Sequence, residues 1–193
     1  MEKRKYQLKQ RAAQQQETRE RIVDAAMALH EELGPAATTI SALAERAGVQ
    51  RLTVYRHFAS DREILHACST KWMTLNPPPD PSQFPSADSP DRARAILSAL
   101  YRYYAATQSM WRSLYRDLGE IEALDAPMRE FHAYLGDVSD ALLASGGARK
   151  SKRLRATVAH AVRFSTWQSL SEVGLDPKAA AGLVSEWIQA VGG

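Results

Sequence analysis

The chain has 193 residues, of which 45% are apolar, and this is enough for one or two small domains that each bury a core. No apolar run approaches the length of a membrane span and the amino terminus is charged rather than signal-like, so the sequence predicts no membrane association and a cytoplasmic location. The single cysteine, Cys68, excludes an internal disulfide framework and fits a reducing compartment.

The net charge of +3 is unevenly distributed along the chain. Residues 1–71 contain 12 Lys and Arg against 9 Asp and Glu, whereas residues 72–193 contain 13 of each class. The whole excess therefore lies in the amino-terminal part. A basic part joined to a neutral part indicates that the first contacts a polyanion and the second does not.

The first 17 residues form a basic extension with little apolar content. We expect this extension to be frayed, or to become helical only on contact with a partner. Basic arms of this kind can follow the DNA backbone into a minor groove, and the alternative is a solvated tail without a role. The basic residues are Lys3, Arg4, Lys5, Lys9 and Arg11.

A strong helix is predicted over residues 18–33. Thr18 is placed to cap its amino end, and Gly34 followed by Pro35 ends it. We expect this helix to pack across the two helices that follow and to complete a three-helix core. Its apolar stripe consists of Ile22, Ala25, Ala26, Leu29 and Leu33.

Residues 38–58 have the spacing of a helix-turn-helix. Thr38 or Thr39 can cap a short first helix, and Gly48 supplies the left-handed turn that ends it. A second helix runs from about residue 50 to 57 and is expected to be presented to the major groove of DNA. The apolar residues of the first helix are Ile40, Leu43, Ala44 and Ala47, and those predicted to face inward from the second are Leu52, Val54 and Phe58.

The remaining side chains of this second helix suit DNA recognition. Arginine pairs with two acceptors of guanine, glutamine pairs with adenine, and threonine offers a hydroxyl and a methyl group to thymine. The alternative is an ordinary helical hairpin with a solvated polar face. The predicted base contacts are Gln50, Arg51 and Thr53, the predicted phosphate contacts are Thr39, Tyr55 and His57, and Arg56 and Arg62 complete the set.

Residues 38–58 and the seven residues after them closely resemble the DNA-binding domain of TetR-type transcriptional regulators. The shared pattern is a Thr-Thr pair, a short helix that ends in Ala-Gly-Val, then Tyr-x-His-Phe, and a further helix that opens with Ser. Two positions depart from the family: Asp61 stands where it usually has a phosphate-contacting lysine, and Gln50 stands where it usually has a serine cap. The rest of the chain matches the family only in length and helical layout.

A fourth helix is predicted from the capping box formed by Ser60 and Glu63 up to about residue 75. We expect this helix to connect the DNA-binding domain, residues 18–75, with the rest of the chain. Residues 76–90 then form a proline-rich linker that can be neither helix nor central strand. The inward residues of the helix are Ile64, Leu65 and Cys68, and the prolines are Pro77, Pro78, Pro79, Pro81, Pro85 and Pro90.

The second domain, residues 91–193, is predicted to be helical again. Ser89, Pro90 and Asp91 resemble a helix start, and a later helix is expected to close at Ser145, Gly146 and Gly147. No segment shows sustained strand alternation, so the predicted fold is all-α, with an amino-terminal three-helix helix-turn-helix domain and a carboxy-terminal helical domain for ligand binding and dimerisation. The predicted helices cover residues 91–104, 109–118, 125–142, 149–173 and 176–188.

The second domain is rich in aromatic residues. Aromatic side chains with a few polar tips line concave small-molecule sites, and the resemblance implies an effector cavity in this region. Rings, hydroxyls and imidazoles together would suit a flat, weakly polar ligand better than a charged one. The alternative to a ligand site is that these rings form the core of the domain. The predicted effector-binding residues are Tyr103, Phe131, His132, His160, Phe164 and Trp167.

The last two predicted helices carry more apolar surface than one core needs, which indicates a subunit interface. The resemblance implies that these helices pair with their copies as a four-helix bundle in a two-fold dimer. A two-fold dimer would place two recognition helices about 34–36 Å apart, one DNA turn, on a near-palindromic site. The predicted interface residues are Leu154, Val158, Val162, Leu183, Val184, Trp187 and Ile188.

No catalytic or metal-binding pattern occurs in the sequence: there is no glycine-rich phosphate loop, no Gly-x-Ser-x-Gly and no histidine pair at ligand spacing. The sequence therefore predicts a protein that is not an enzyme and uses no cofactor or metal. With the resemblance, it predicts a repressor that binds double-stranded DNA as a homodimer and is released by a small-molecule effector. The alternatives are a regulator of the same fold that answers to a protein partner or to no ligand, and an all-α enzyme.

Overall fold

The computed structural model describes residues 2–87, 89, 91–144 and 151–192. In that part of the chain every extended regular element is helical, which confirms the predicted all-α fold. None of these helices is long and apolar enough to cross a membrane. The α-helices are α1 Glu2–Glu32, α2 Ile40–Arg46, α3 Arg51–His57, α4 Asp61–Leu75, α5 Arg92–Asp117, α6 Asp125–Leu143, α7 Lys152–Ala161, α8 Phe164–Glu172 and α9 Pro177–Gly192, and short 3₁₀ turns lie at Pro81–Gln83 and Glu122–Leu124.

The chain forms two compact units. The first unit contains Met1–Asn76 and Arg112–Pro127, and the second contains Pro77–Trp111 and Met128–Gly193. The sequence assigned residues 112–127 to the second domain, but their contacts group them with the first. The reason is that the last turn of α5 packs on the turn after α1, a pairing between residues about eighty positions apart that no local pattern encodes.

Helix α1 is one continuous helix of 31 residues, so the prediction of a frayed extension and of a helix start at Thr18 is wrong. Residues 2–17 contain no Gly or Pro and are mostly Ala, Gln, Glu, Lys and Arg, which are all strong helix formers. The Thr18 hydroxyl donates to the Gln14 carbonyl at 2.9 Å, so Thr18 lies inside the helix. The Gln16 amide donates to the Glu20 carboxylate at 2.8 Å one turn later.

The core of the first unit is formed by the inner faces of α1 to α4. Thr39 caps α2 by accepting the Ala42 N–H at 3.1 Å, and Gly48 has a φ of +65°, as predicted. The predicted capping residue of α4 is also confirmed, because the Ser60 hydroxyl accepts the Glu63 N–H at 3.3 Å. The buried core residues include Ile22, Ala26, Leu29, Leu43, Ala44, Val54, Phe58, Ile64 and Cys68.

The turn between α1 and α2 is held by the last turn of α5. Arg116 Nη2 donates to the Leu33 carbonyl at 2.6 Å, and Asp117 Oδ2 accepts the Ala36 N–H at 2.9 Å. Burial raises the pKa of Asp117, but hydrogen bonds from Arg116 and from the Ala36 N–H outweigh this effect and lower its pKa overall. Gly34 lies between these contacts with a φ of +91°. The turn therefore depends on a glycine and on a buried carboxylate.

Helix α5 is a single helix, and the prediction that a new helix starts near residue 109 is wrong. Residues 105–108 contain neither Gly nor Pro, and the Thr107 hydroxyl donates to the Tyr103 carbonyl at 2.6 Å within the helix. Gly119, with a φ of +96°, follows its end. The predicted role of Pro90 and the predicted helix end at 145–147 lie outside the described residues.

The predicted helix over residues 149–173 is broken into α7 and α8, with its predicted start also outside the described residues. Three hydroxyl groups donate to backbone carbonyls at this break. Because two of these hydroxyls belong to α5, the sequence of the broken segment alone could not reveal the break. The hydrogen bonds are Tyr101 Oη to Ala161 O at 2.7 Å, Tyr104 Oη to Val162 O at 2.7 Å, and Thr166 Oγ1 to His160 O at 2.6 Å.

We predict that Gly34→Ala lowers the free energy of unfolding by about 2–4 kcal/mol. A Cβ atom at this position would collide with the Arg116 guanidinium and the Asp117 carboxylate, and the positive φ disfavours any L side chain. Urea unfolding followed by circular dichroism measures the change.

Gly136→Ala is the matched control, because a Cβ atom there meets no other atom within 4 Å and the residue lies inside α6. Alanine is favoured over glycine inside a helix by about 0.5–1 kcal/mol, so the control should be neutral or stabilising. Equal losses in the two variants would contradict the role assigned to the turn.

Candidate nucleic-acid interface

Helix α3 exposes one broad face and buries a narrow one. Val54 is 0% exposed and Phe58 is buried, as predicted, but Leu52 is 59% exposed, so its predicted inward position is wrong. Residues two apart lie on different sides of a helix, so Leu52 cannot share the inward face of Val54, whereas Phe58 lies one turn from Val54. The exposed face of α3 therefore presents a large apolar side chain among its polar ones.

All eight predicted DNA-contacting residues belong to the first unit. The exposed members are Thr39, Gln50, Arg51, Tyr55, Arg56 and Arg62, and the half-buried members are Thr53 and His57.

The geometry of two of these residues leaves their polar groups available for DNA. Gln50 is the N-cap of α3 but forms no side-chain capping bond, so its amide is available to a base. The Thr39 hydroxyl accepts the Ala42 N–H, and its own O–H remains available to a phosphate. Arg51 and Tyr55 lie four residues apart and so share one side of α3.

Arg19 is a candidate DNA contact that the sequence did not reveal. Its guanidinium carbon lies 4.6 Å from the centroid of the Phe58 ring, a cation–π arrangement that fixes Arg19 beside the end of α3. Arg19 and Arg62 line one groove of about 610 Å³ between α1 and α4, which also contains Lys71. Lys71 is paired with Asp24 at 2.5 Å. Arg19 and Phe58 are far apart in sequence, so only the packing of α1 on α3 brings them together.

A buried polar pair lies beneath this surface. The His30 Nδ1 atom is 3.4 Å from the Cys68 Sγ atom, and His30 is only 6% exposed. Burial lowers the pKa of His30 to about 4, against a smaller opposite effect of the Asp117 carboxylate. Burial also raises the pKa of Cys68 to about 12. At neutral pH the pair is therefore a neutral imidazole and a protonated thiol.

Four of the six predicted effector-binding residues lie together in a packed aromatic cluster of the second unit. Tyr104 lies between several of these rings, 5.4 Å from Phe164 and 6.1 Å from Trp167 between ring centroids. Trp111 and Phe131 are only 4.1 Å apart. These rings are buried and pack against one another. The four residues are Tyr103, Phe131, Phe164 and Trp167.

His132 and His160 are exposed, so the structure does not bring them into this cluster. His132 follows Phe131 in α6, and adjacent residues of a helix point about 100° apart, so only one of the two can face inward. The indole Nε1 of Trp167 is buried and has no hydrogen-bond partner among the described residues. This polar atom in an apolar cluster is the feature that an acceptor group of a ligand would satisfy.

Most of the predicted dimer-interface residues are buried within the second unit itself. A side chain that its own chain already buries adds little surface to an interface, so of the predicted interface residues only those on the outer face of α9 remain available. Leu183 is half-buried there and Trp187 is 38% exposed. Val173, which the sequence did not single out, is 75% exposed at the end of α8. The buried residues are Leu154, Val158, Val162, Val184 and Ile188.

We predict that the free energy of unfolding falls as the pH is lowered from 7 to 5, by about 2 kcal/mol through His30 alone. The pKa of His30 is about 4 in the folded chain and about 6.5 in the unfolded chain. In that pH window the unfolded chain therefore binds a proton that the folded chain does not. Urea unfolding at both pH values should show a smaller pH effect in His30→Gln.

His66→Gln is the control for this measurement, because His66 is exposed on α4. It should keep the pH dependence of the unaltered chain. If His30→Gln retains the full pH effect, the buried neutral imidazole is not its source.

Part of the first unit matches the model of a known protein family. Residues 22–68 match the family model described as bacterial regulatory proteins, tetR family. The HTH-type transcriptional regulator SrpR of Pseudomonas putida is 43% identical over 56 residues, which are 29% of this chain and 26% of SrpR. The match thus spans about a quarter of that relative.

Solved structures resemble the chain over most of its length at low identity. A TetR-like transcriptional regulator from Rhodococcus sp. RHA1 has a TM-score of 0.62 and 18% identity, covering 91% of this chain and 97% of that one. The transcriptional regulator FadR from Bacillus subtilis, in complex with stearoyl-CoA, has a TM-score of 0.59 and 17% identity, covering 87% and 96%. At these identities the resemblance shows a shared fold.

Proposed function

We propose that the chain is a dimeric transcriptional repressor of the tetR family that a small-molecule effector releases from a near-palindromic operator, because residues 22–68 match the model of that family. The observation that carries the proposal is the exposed face of α3, which presents Arg51, Leu52, Tyr55 and Arg56 at the second helix of the helix-turn-helix. These side chains offer both the hydrogen-bonding and the apolar groups that read base edges in the major groove.

The phosphate contacts of this proposal come from the elements around α3. Thr39 at the start of α2 and Arg62 in the first turn of α4 are both exposed. Arg19 adds a cation beside the end of α3, held over the Phe58 ring. Phosphate contacts fix orientation on the duplex and carry the salt dependence of binding, while α3 supplies the specificity.

Release by an effector requires that the second unit influence the first. The chain passes between the units after α4 and again within α5, and the end of α5 is bonded to the turn between α1 and α2. A ligand that favours a different position of α5 would therefore act on the start of α2. Such coupling is reciprocal and typically amounts to about 1–3 kcal/mol.

A second reading, regulation by a protein partner or by no ligand, is favoured by the aromatic cluster. Four predicted effector residues are packed against other rings in the second unit. FadR holds stearoyl-CoA with the same fold, so the fold itself accommodates a ligand. Selection of binding sites from genomic DNA with the purified chain, followed by a screen for compounds that release the bound fragment, decides between the two readings.

We predict that Arg51→Ala weakens operator binding by about 1–3 kcal/mol and relaxes the preference at one base position of each half-site. The loss follows from removal of a bidentate guanine contact. Repeated site selection with the variant measures the preference. Equal weakening on every sequence would instead identify Arg51 as a phosphate contact.

We predict that Leu52 contacts a thymine methyl group, the main apolar feature of the major groove. Replacing thymine by deoxyuridine at the contacted position removes only that methyl and should weaken binding by the unaltered chain. Leu52→Ala should bind both operators equally, and its stability should be unchanged within about 0.5 kcal/mol because the side chain is exposed. A variant that still distinguishes the two bases would exclude this contact.

A further inference from the structure

The first unit contains a cavity of about 340 Å³ between α2, the start of α4 and residues 120–123. Its volume lies at the lower end of the range of small-molecule sites. The lining contains two carboxylates and no Lys or Arg, although residues 1–71, which supply most of it, carry an excess of Lys and Arg. The lining residues are apolar (Pro35, Ala36, Ile40, Leu43, Ile64, Leu65, Ile121, Ala123) or polar (His30, Thr38, Thr39, Asp61, Glu120).

His30 lines this cavity through a ring whose proton position follows from its partners. The Cys68 Sγ atom lies 3.2 Å from the Leu65 carbonyl and 3.4 Å from His30 Nδ1, so a thiol that donates to the carbonyl leaves its sulfur to accept from Nδ1–H. In the tautomer that this arrangement implies, Nδ1 carries the proton of the neutral imidazole and Nε2 has a free lone pair. Nε2 has no hydrogen-bond partner among the described residues, in a side chain that is 94% buried.

The two carboxylates of the lining are Asp61 and Glu120. Neither forms a salt bridge with another described residue, although Glu120 raises the pKa of Arg116 from a greater distance. Asp61 is also the position at which the sequence departs from the lysine usual in the family. An acid here weakens phosphate contact, but it suits a cavity whose lining contains a second carboxylate and no Lys or Arg.

We propose that this cavity binds a small organic cation, an amine with an aromatic or aliphatic body. The ammonium group donates to Nε2 of His30 and lies beside the carboxylates of Asp61 and Glu120. The body packs on the apolar lining. Among the described residues, no group of three or more His, Cys, Asp or Glu side chains could hold a metal ion, so an organic cation fits this lining better.

A ligand in this cavity would affect DNA binding through the residues that line the cavity. Thr39, the N-cap of α2, and Asp61, the first residue of α4, both line it. A bound amine would therefore contact both helices that flank the recognition helix. The proposal itself concerns binding to the free chain, so it stands or falls independently of the operator and of the effector in the second unit.

The test is isothermal titration calorimetry of the full chain with 2-phenylethylamine and, separately, with 3-phenylpropionate, an anion of similar size. We expect saturable binding of the amine and none of the acid. The double variant Asp61→Asn with Glu120→Gln should lose at least about tenfold in affinity for the amine, a difference that exceeds ordinary error in such titrations. Binding of both probes alike, or no saturation below about 10 mM amine, overturns the proposal.

The matched control is Glu17→Gln with Glu45→Gln, which removes the same charge from exposed positions that do not line the cavity. It should bind the amine as the unaltered chain does, and an equal loss would show a nonspecific charge effect and reject the site. Nitrogen–proton correlation spectra of the unaltered chain show where the amine binds without any substitution. Amide shifts should concentrate in residues 36–43, 61–65 and 120–123, and shifts confined to the second unit would contradict the assignment.

Discussion

The buried Asp117 carboxylate is the interaction on which the first unit depends most directly. It accepts the Ala36 N–H, while the neighbouring Arg116 donates to the Leu33 carbonyl, so the end of α5 fixes both sides of the turn around Gly34. This turn determines where α2 begins, and the start of α2 carries the Thr39 cap. The orientation of the recognition helix thus depends on a hydrogen-bonded charge contributed by a helix far along the chain. A buried carboxylate without hydrogen-bond partners would destabilise the folded chain. The turn around Gly34 and the end of α5 are therefore expected to form together or not at all.

Buried hydrogen bonds also hold the second unit together. In the second unit the hydroxyls of Tyr101 and Tyr104 bond to the carbonyls between α7 and α8, inside an aromatic cluster. Those hydroxyls allow a helix break to be buried, because each otherwise orphaned carbonyl has a donor. Ligand recognition in the second unit would therefore require that this packed cluster open around groups such as Trp167 Nε1.

Local signals predicted the helix-turn-helix region well, and the reason is that its elements are short and end in side-chain chemistry. The caps at Thr39 and Ser60 and the left-handed glycine at position 48 each involve residues within four positions of one another. The prediction that a helix starts at Thr18 was wrong because no helix-breaking residue precedes it. Strong helix formers lie on both sides of Thr18, and the helix continues through it. The inward assignment of Leu52 was wrong because α3 has only seven residues and one buried position. So short an apolar pattern does not define which side of the helix faces the core.

The sequence by itself determined that the chain is helical, that a capped helix-turn-helix lies near its amino end, and that the basic excess lies in the same part. These properties depend on neighbours in the chain and on composition. Only the tertiary structure decided that residues 112–127 belong to the first unit, that α7 and α8 are separate, and that Arg19 stacks on Phe58. It also decided that Asp61 and Glu120 line one cavity with His30. Each of these facts joins residues many positions apart, and the free energy that fixes them comes from burial and hydrogen bonding between helices, which no local pattern records.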